Sequence, residues 1–285
     1  MAYELINSGT VTPHRLHTVV RLVSRLKIIK RNDLYNWVQP QELNIGNQDT
    51  AKETVRAAVN CGLLKDDREN DFITMQPGIS DLESVGEFRK WLQNRLFKKA
   101  DRNEDNFLLN SFSAWYIVQD ERIFQIAKDL HVHFNEEFFP DEEERSFNLV
   151  KSNSWKNWAS FLGLGWFNKD NILVPDAHDR VEPYLNDLLP DAGKEIEFGI
   201  FCDHLADLCP ELDRGENYMQ LRQLAAKSNA VNRISLALST ALRVLDKEGK
   251  IKLIRRPDAR INWSLYPSSM YIENITHIQL GEVSV

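Results

Sequence analysis

From Thr12 onward, apolar residues recur at Leu16, Val19, Val20, Leu22, Val23 and Leu26, a spacing that gathers them on one broad helical face. Thr12 is placed as an N-cap and Pro13 as the first helical residue. A second, shorter helix over Leu34, Tyr35, Trp37 and Val38 ends before Pro40, which cannot continue it. Thr50 and Glu53 have capping-box spacing ahead of Val55, Ala58, Val59, Leu63 and Leu64, and Gly62 is placed to stop a third helix. Phe72–Met75, after the polar loop 65–71, predicts a strand that pairs back on Leu63-Leu64. Three helices followed by a hairpin predict a winged helix over residues 1–76.

The pattern returns in residues 193–285. Phe198–Leu208 and Tyr218–Ala226 read as two helices, and Ile234, Leu238, Ala241, Leu242 and Leu245 as the face of a third that ends at Gly249. Ile251–Ile254 and Ile261–Leu265 predict a hairpin joined through Arg255-Arg256-Pro257-Asp258-Ala259-Arg260, with Pro257-Asp258 as the turn. Residues 77–192 predict a helical middle. Ser80 and Glu83 would cap a helix running to about Lys99, and Asp120 another running through Leu130. Trp155–Leu162 reads as a helix stopped by Gly163, and Leu164–Phe167 with Ile172–Val174 as a hairpin, together an abbreviated third unit. The fold class is therefore mainly α with small antiparallel β-hairpins, as tandem winged-helix (helix-turn-helix) domains.

The winged-helix patterns near both ends, the central element Trp155-x-x-Trp158-Ala159-x-Phe161-Leu162-Gly163-Leu164-Gly165-Trp166 and the basic helix-and-wing segment 234–265 resemble the accessory proteins of bacterial DNA-modification and defence clusters. Among these, the chain is similar to the DpdG-like component of the cluster that inserts and polices deazaguanine bases in DNA. The resemblance implies a restriction-associated role within a multi-protein assembly. It carries over no catalytic residue.

The 42% hydrophobic and 27% charged composition excludes a disordered or low-complexity chain. No run of about 18 apolar residues and no basic, apolar leader is present, so the expectation is a soluble cytoplasmic protein without membrane contact. Three cysteines without Cys-x-x-Cys spacing read as buried thiols. The net charge of −7 argues against indiscriminate nucleic-acid binding, yet it divides into +1 over residues 1–75, −13 over 76–217 and +5 over 218–285. Arg15, Arg21, Arg25, Lys27, Lys30 and Arg31 follow one another with no acidic residue between Glu4 and Asp33.

Candidate chemistry is sparse. No phosphate-cradling G-x-x-x-x-G-K-[ST] and no G-x-S-x-G elbow occur, and Gly163-x-Gly165 follows a helix, as a cap and turn would. His131 and His133 beside Glu136 and Glu137, and Cys202, His204 and Cys209, have ligand chemistry but no four-ligand spacing. Glu248-Gly249-Lys250 reads as a helix stop. The expectation is a non-enzymatic protein with no metal and no cofactor.

Basic residues on helices and wings point to duplex DNA as a partner. The candidate contacts are Arg233, Arg243, Lys247, Lys252, Arg255, Arg256 and Arg260 in the C-terminal unit, with Lys52 and Arg56 in the N-terminal one. Trp263 reads as packing against the protein rather than stacking on a base. Asp141, Glu142, Glu143 and Glu144 suit docking of other protein subunits. The reading is a DNA-binding or scaffolding subunit of a DNA-defence or restriction assembly. The alternatives are a docking subunit of a kleisin-type chromosome-organising complex and a transcription regulator.

Overall fold

A computed structural model describes residues 2–7, 9–43, 48–79, 82–98, 106–139, 147–191, 193–224, 232–268 and 272–281, and is mainly helical with small antiparallel sheets. The chain begins α1 (Ala2–Asn7), α2 (Pro13–Leu26), β1 (Ile28–Lys30), α3 (Arg31–Val38), α4 (Asp49–Asn60), β2 (Leu64–Asp67), β3 (Phe72–Met75) and α5 (Val85–Leu96). Next come α6 (Phe107–Val118), α7 (Ile123–Ile126), α8 (Leu130–Phe138), α9 (Leu149–Phe161), β4 (Gly165–Phe167) and β5 (Leu173–Pro175). It ends with α10 (His178–Val181), α11 (Leu185–Leu188), β6 (Glu195–Glu197), α12 (Phe198–Leu208), α13 (Glu216–Leu224), α14 (Leu236–Lys247), β7 (Ile251–Ile254), β8 (Trp263–Ser264), β9 (Asn274–Ile275) and β10 (His277–Leu280). Two compact units result: residues 1–96 with 148–161, and residues 97–147 with 162–285.

In the first unit the apolar stripe of α2 fulfils its prediction, with Leu16, Val19, Val20 and Val23 wholly buried and the Thr12 hydroxyl accepting from the Arg15 amide at 3.4 Å. The helix stops at Leu26 because Lys27 adopts a left-handed φ of 66°. The turned chain then forms β1, which the periodicity did not predict. The sheet order is β1-β3-β2, with Leu64 opposite Met75 and Ile29 opposite Ile73.

The expected Thr50–Glu53 capping box does not form. The α4 helix begins two residues earlier, at Asp49, and its Ala51 amide is capped at 3.1 Å by the Gln39 side-chain oxygen from the end of α3. The Glu53 carboxylate accepts from the Thr10 hydroxyl instead. Likewise α5 starts at Val85 on a Ser84–Glu87 box, with the Glu87 amide donating to the Ser84 hydroxyl at 3.1 Å; Ser80 lies outside the described residues.

Helix α9 packs on α1 and α2, where Ser154 donates to the Leu5 carbonyl at 3.0 Å and the Trp158 indole to the Val11 carbonyl at 3.2 Å. The expected helix and hairpin of the middle both exist, but α9 belongs to the first unit and β4–β5 to the second, so they do not build one abbreviated module.

The second unit is built on α6, whose every residue is buried, as an aromatic-rich segment without a polar stripe requires. Phe112 stacks on Phe147 at 4.1 Å and meets the edge of Phe134 at 4.8 Å. A Cβ at Gly165 would lie 2.3 Å from the Val174 carbonyl oxygen, so only glycine permits the β4–β5 pairing seen here.

The predicted hairpin of 251–254 with 261–265 is replaced by two separate pairings. Strand β7 pairs with β10, which also pairs with β6, and β8 pairs with β9. The long excursion between β7 and β10 separates strands that a short turn would have joined. Asp120 is also reassigned: its φ is 53°, and its carboxylate accepts from the Leu236 amide at 2.8 Å, capping α14 rather than the helix that follows it.

Between α10 and the turn after α12 lies a fully buried ion pair. Arg180 Nε donates to Glu211 Oε1 at 2.6 Å and Nη2 to the Leu208 carbonyl at 2.8 Å, with the guanidinium 5.3 Å from the Phe97 ring centroid and 5.4 Å from that of Tyr184. Removing one partner leaves an uncompensated buried charge. We predict that Glu211→Ala lowers the unfolding free energy of this unit by about 3–5 kcal/mol, whereas Arg180→Met with Glu211→Leu loses much less. Urea titration followed by tryptophan fluorescence checks this, and equal losses in the two variants would refute it.

Candidate nucleic-acid interface

On α4 the inward positions Ala51, Thr54, Val55, Ala57 and Ala58 face the core. This leaves Lys52 and Arg56, four residues apart, together on the solvent face. Lys52 makes a long 3.9 Å pair with Asp49, also exposed, so its ammonium remains available. The face borders a groove of about 590 Å³ that Arg31, Tyr35, Asn60 and Arg68 also line. Arg31 is committed within the protein, 2.6 Å from Asp66 and 3.2 Å from Asp71, and its hydrogen bond to Asp66 raises its pKa above the ordinary value. Sequence reasoning did not single out Arg68. Its place in the loop between β2 and β3, where a wing would be, was the available signal.

The C-terminal candidates divide into two groups. Lys247, Lys252, Arg255, Arg256 and Arg260 are all exposed. Arg256 is ion-paired with Glu195, and its backbone amide donates to the Thr276 hydroxyl at 2.9 Å.

Arg233 and Arg243 are engaged in the fold instead. Arg233 sits 3.2 Å from Asp120 with its guanidinium 4.1 Å from the Tyr266 ring centroid. Arg243 is only 9% exposed and donates to the carbonyls of Tyr266, Pro267 and Ile272 at 2.7, 3.0 and 3.1 Å. Burial lowers its pKa from the ordinary arginine value. Arg243 therefore holds the carbonyls of Tyr266, Pro267 and Ile272 and does not extend the positive surface of Arg255, Arg256 and Arg260. Trp263 is buried, edge-on to Phe198 at 5.6 Å, which agrees with the packing expected for it. Asp141, Glu142, Glu143 and Glu144 lie outside the described residues.

Helix α14 turns one face inward, where Ala237, Leu238, Ser239, Ala241, Leu242, Arg243 and Leu245 are buried; on its outer side Leu236, Thr240 and Val244 are half-buried and only Lys247 is exposed. At its N-terminus the Ser235 hydroxyl accepts from the Leu238 amide at 3.3 Å, and buried Asp213 accepts from the Ser235 amide and hydroxyl at 2.7 and 2.5 Å. Burial pushes the Asp213 carboxyl up to about 6, against these hydrogen bonds.

At its C-terminus, Glu248-Gly249-Lys250 ends the helix, with Gly249 at φ 73° and the Lys250 amide donating to the Leu245 carbonyl at 2.9 Å. Glu248 Oε2 also lies 3.0 Å from His178 Nε2, while Asp179 Oδ1 lies 3.0 Å from His178 Nδ1. Burial opposes the His178 charge, but the bonds to Asp179 and Glu248 outweigh it and raise the pKa above 6.5. His178, Asp179 and Glu182 lie close enough to share a cation, but the Lys250 ammonium already bridges Glu182 and Glu248 beside them. Burial raises the pKa of the Cys202 thiol and pushes that of Cys209 up to about 12, which disfavours the thiolate that metal binding needs.

A family model described as DpdG-like matches residues 3–259. No curated protein and no solved structure matches the chain. Among the described residues no helix is long and apolar enough to cross a membrane.

The two titrating groups at the ends of α14 act in different pH windows. Asp213 is raised in the folded state, so the folded chain holds a proton that the unfolded chain, with a carboxyl pKa of about 3.9, has released. Stability therefore falls as pH rises from about 4 towards 6. His178 is also raised, so its contribution is complete below about 6.5 and is lost as pH rises through its higher folded value. We predict that the urea midpoint declines across both windows, that Asp213→Asn flattens the lower decline, and that His178→Gln flattens only the upper one. A profile unchanged by either substitution would refute the assignment.

Proposed function

The chain belongs to the DpdG-like family, and from that premise we propose that it is a non-enzymatic DNA-binding and scaffolding subunit of a multi-protein assembly associated with DNA modification. The observation that carries the DNA reading is the solvent face of α4, where Lys52 and Arg56 project beside a groove. The element order α2-β1-α3-α4-β2-β3 with strand order β1-β3-β2 supports reading the first unit as a winged helix with α4 as its recognition helix. In the second unit the series β6-α12-α14-β7-β10, with strand order β6-β10-β7, supports the same plan around an additional helix, α13.

The two units then take different parts. In the first, α4 enters the major groove and Lys52 and Arg56 contact phosphates or base edges. In the second, the outer positions of α14 other than Lys247 are half-buried and none of them is basic, so any DNA contact rests with the exposed Lys247, Lys252, Arg255, Arg256 and Arg260.

Salt dependence distinguishes these contacts. Each lost phosphate contact reduces the slope of log K against log salt by about 0.9. Lys52→Ala with Arg56→Ala should therefore flatten the slope for duplex DNA by nearly 2 units, and the triple alanine variant of Arg255, Arg256 and Arg260 by up to nearly 3. Both variants should unfold at the wild-type temperature, because the altered side chains are exposed. Unchanged affinity and slope in the α4 variant would sink the recognition-helix reading. The same result in the wing variant would leave the second unit a protein-docking module alone.

A further inference from the structure

The outer strands of the two three-stranded sheets have open edges of opposite charge. β1 pairs only with β3 and β6 only with β10, so each is a sheet edge among the described residues. The ladders show which backbone groups are free. The Arg31 amide donates to Asp71 at 3.1 Å and the Phe198 amide to Thr276 at 2.9 Å. Because bonded pairs alternate along an antiparallel ladder, Ile29 bonds inward to Ile73 and Ile196 to Ile278. The N–H and C=O groups of Ile28 and Glu195 and the N–H groups of Lys30 and Glu197 therefore point away from their sheets, while the carbonyls of Lys30 and Glu197, the N-caps of α3 and α12, serve the first turns of those helices.

Side chains add sign to these edges. Ile28, Lys30 and Lys27 are exposed on the first, and Glu197 is exposed on the second beside half-buried Glu195. Two β6 edges meeting would oppose glutamates and two β1 edges would set each Lys30 diagonal to the other, which is how edge charges disfavour self-pairing. The unlike pair escapes that repulsion.

We infer that β1 of one copy of this chain pairs antiparallel with β6 of a second copy. In the register that brings all four outward residues together, Lys30 lies opposite Glu195 and diagonal to Glu197, and Ile28 lies opposite Glu197, completing two ladder hydrogen bonds, from the Lys30 amide to the Glu195 carbonyl and from the Glu197 amide to the Ile28 carbonyl. The Lys30 ammonium then sits between two carboxylates, while the exposed Ile28 side chain is covered across the strand. The contact joins two different surfaces, so it is head-to-tail and builds chains or closed rings. Three-residue strands make it weak, so it is a contact for high local concentration, such as copies gathered along one duplex.

Sedimentation velocity on the full chain from roughly 10 µM to 1 mM, without DNA, tests this across the range of weak association. Concentration-dependent association is expected, with slowed exchange at the Lys30 and Glu197 amides as it sets in. Lys30→Glu makes the chain more acidic and Glu195→Lys with Glu197→Lys makes it less so, yet both should weaken association about tenfold or more. The triple variant should restore it. A net-charge effect would instead move the first two variants in opposite directions, and that result overturns the pairing.

Thermal unfolding of each variant, with Glu197→Lys alone as the milder form that keeps the Glu195–Arg256 pair, separates loss of association from loss of fold. A monomer at every concentration overturns the inference. So does association that survives both charge reversals, or that appears only on adding duplex DNA, which would assign the basic edge to nucleic acid.

Discussion

The second unit depends on the polar ties that hold one helix, Leu236–Lys247, with its inner face buried. Its N-terminal amides are satisfied by its own cap, Ser235 on Leu238, and by carboxylates from distant parts of the chain, Asp120 on Leu236 and Asp213 on Ser235. Its middle is tied by Arg243 to the carbonyls of Tyr266, Pro267 and Ile272. Its end is held through Glu248 to His178. Helix ends expose unpaired backbone groups and partial charges, and here both ends are met by groups of matching chemistry. Two buried or half-buried titrating side chains are the cost of that arrangement.

The outer faces of the two helices differ. A helix that reads DNA needs exposed polar groups on its free face, and α4 has Lys52 and Arg56 there while the outer positions of α14 are half-buried Leu236, Thr240 and Val244, with Lys247 exposed only at its end. The two units share a strand order and a strand-into-helix junction, at Lys30–Arg31 and at Glu197–Phe198, yet the outer faces of α4 and α14 differ in exposure and charge.

Charge counting overstated the free basic surface for a related reason. Arg31, Arg122, Arg233 and Arg256 are paired with Asp66, Glu137, Asp120 and Glu195, and Arg243 bonds to carbonyls. Guanidinium groups are well suited to such internal pairing because their planar fork meets carboxylates and carbonyls directly. Lys52, Arg56, Lys247, Lys252, Arg255 and Arg260 are the candidates whose positive charge faces solvent with no short ion pair among the described residues.

The sequence by itself determined the elements whose signals are local. The α2 stripe with its Thr12 cap, the glycine stops at Gly62, Gly163 and Gly249, the β2–β3 and β4–β5 hairpins and the exposure of Lys52 and Arg56 follow from periodicity and backbone sterics within a few residues. Only the tertiary structure decided which partners distant groups would find. Asp120 looks like a cap for its own helix but serves one more than a hundred residues away, and Arg243 looks like a wing cation but is turned inward. β7 pairs with β10 across a long excursion, and α9 separates from its neighbouring hairpin. Periodicity specifies which face of an element is apolar, but a hydrogen bond or ion pair depends on which polar group the packed chain brings within about 3 Å, and spacing along the sequence carries no information on that.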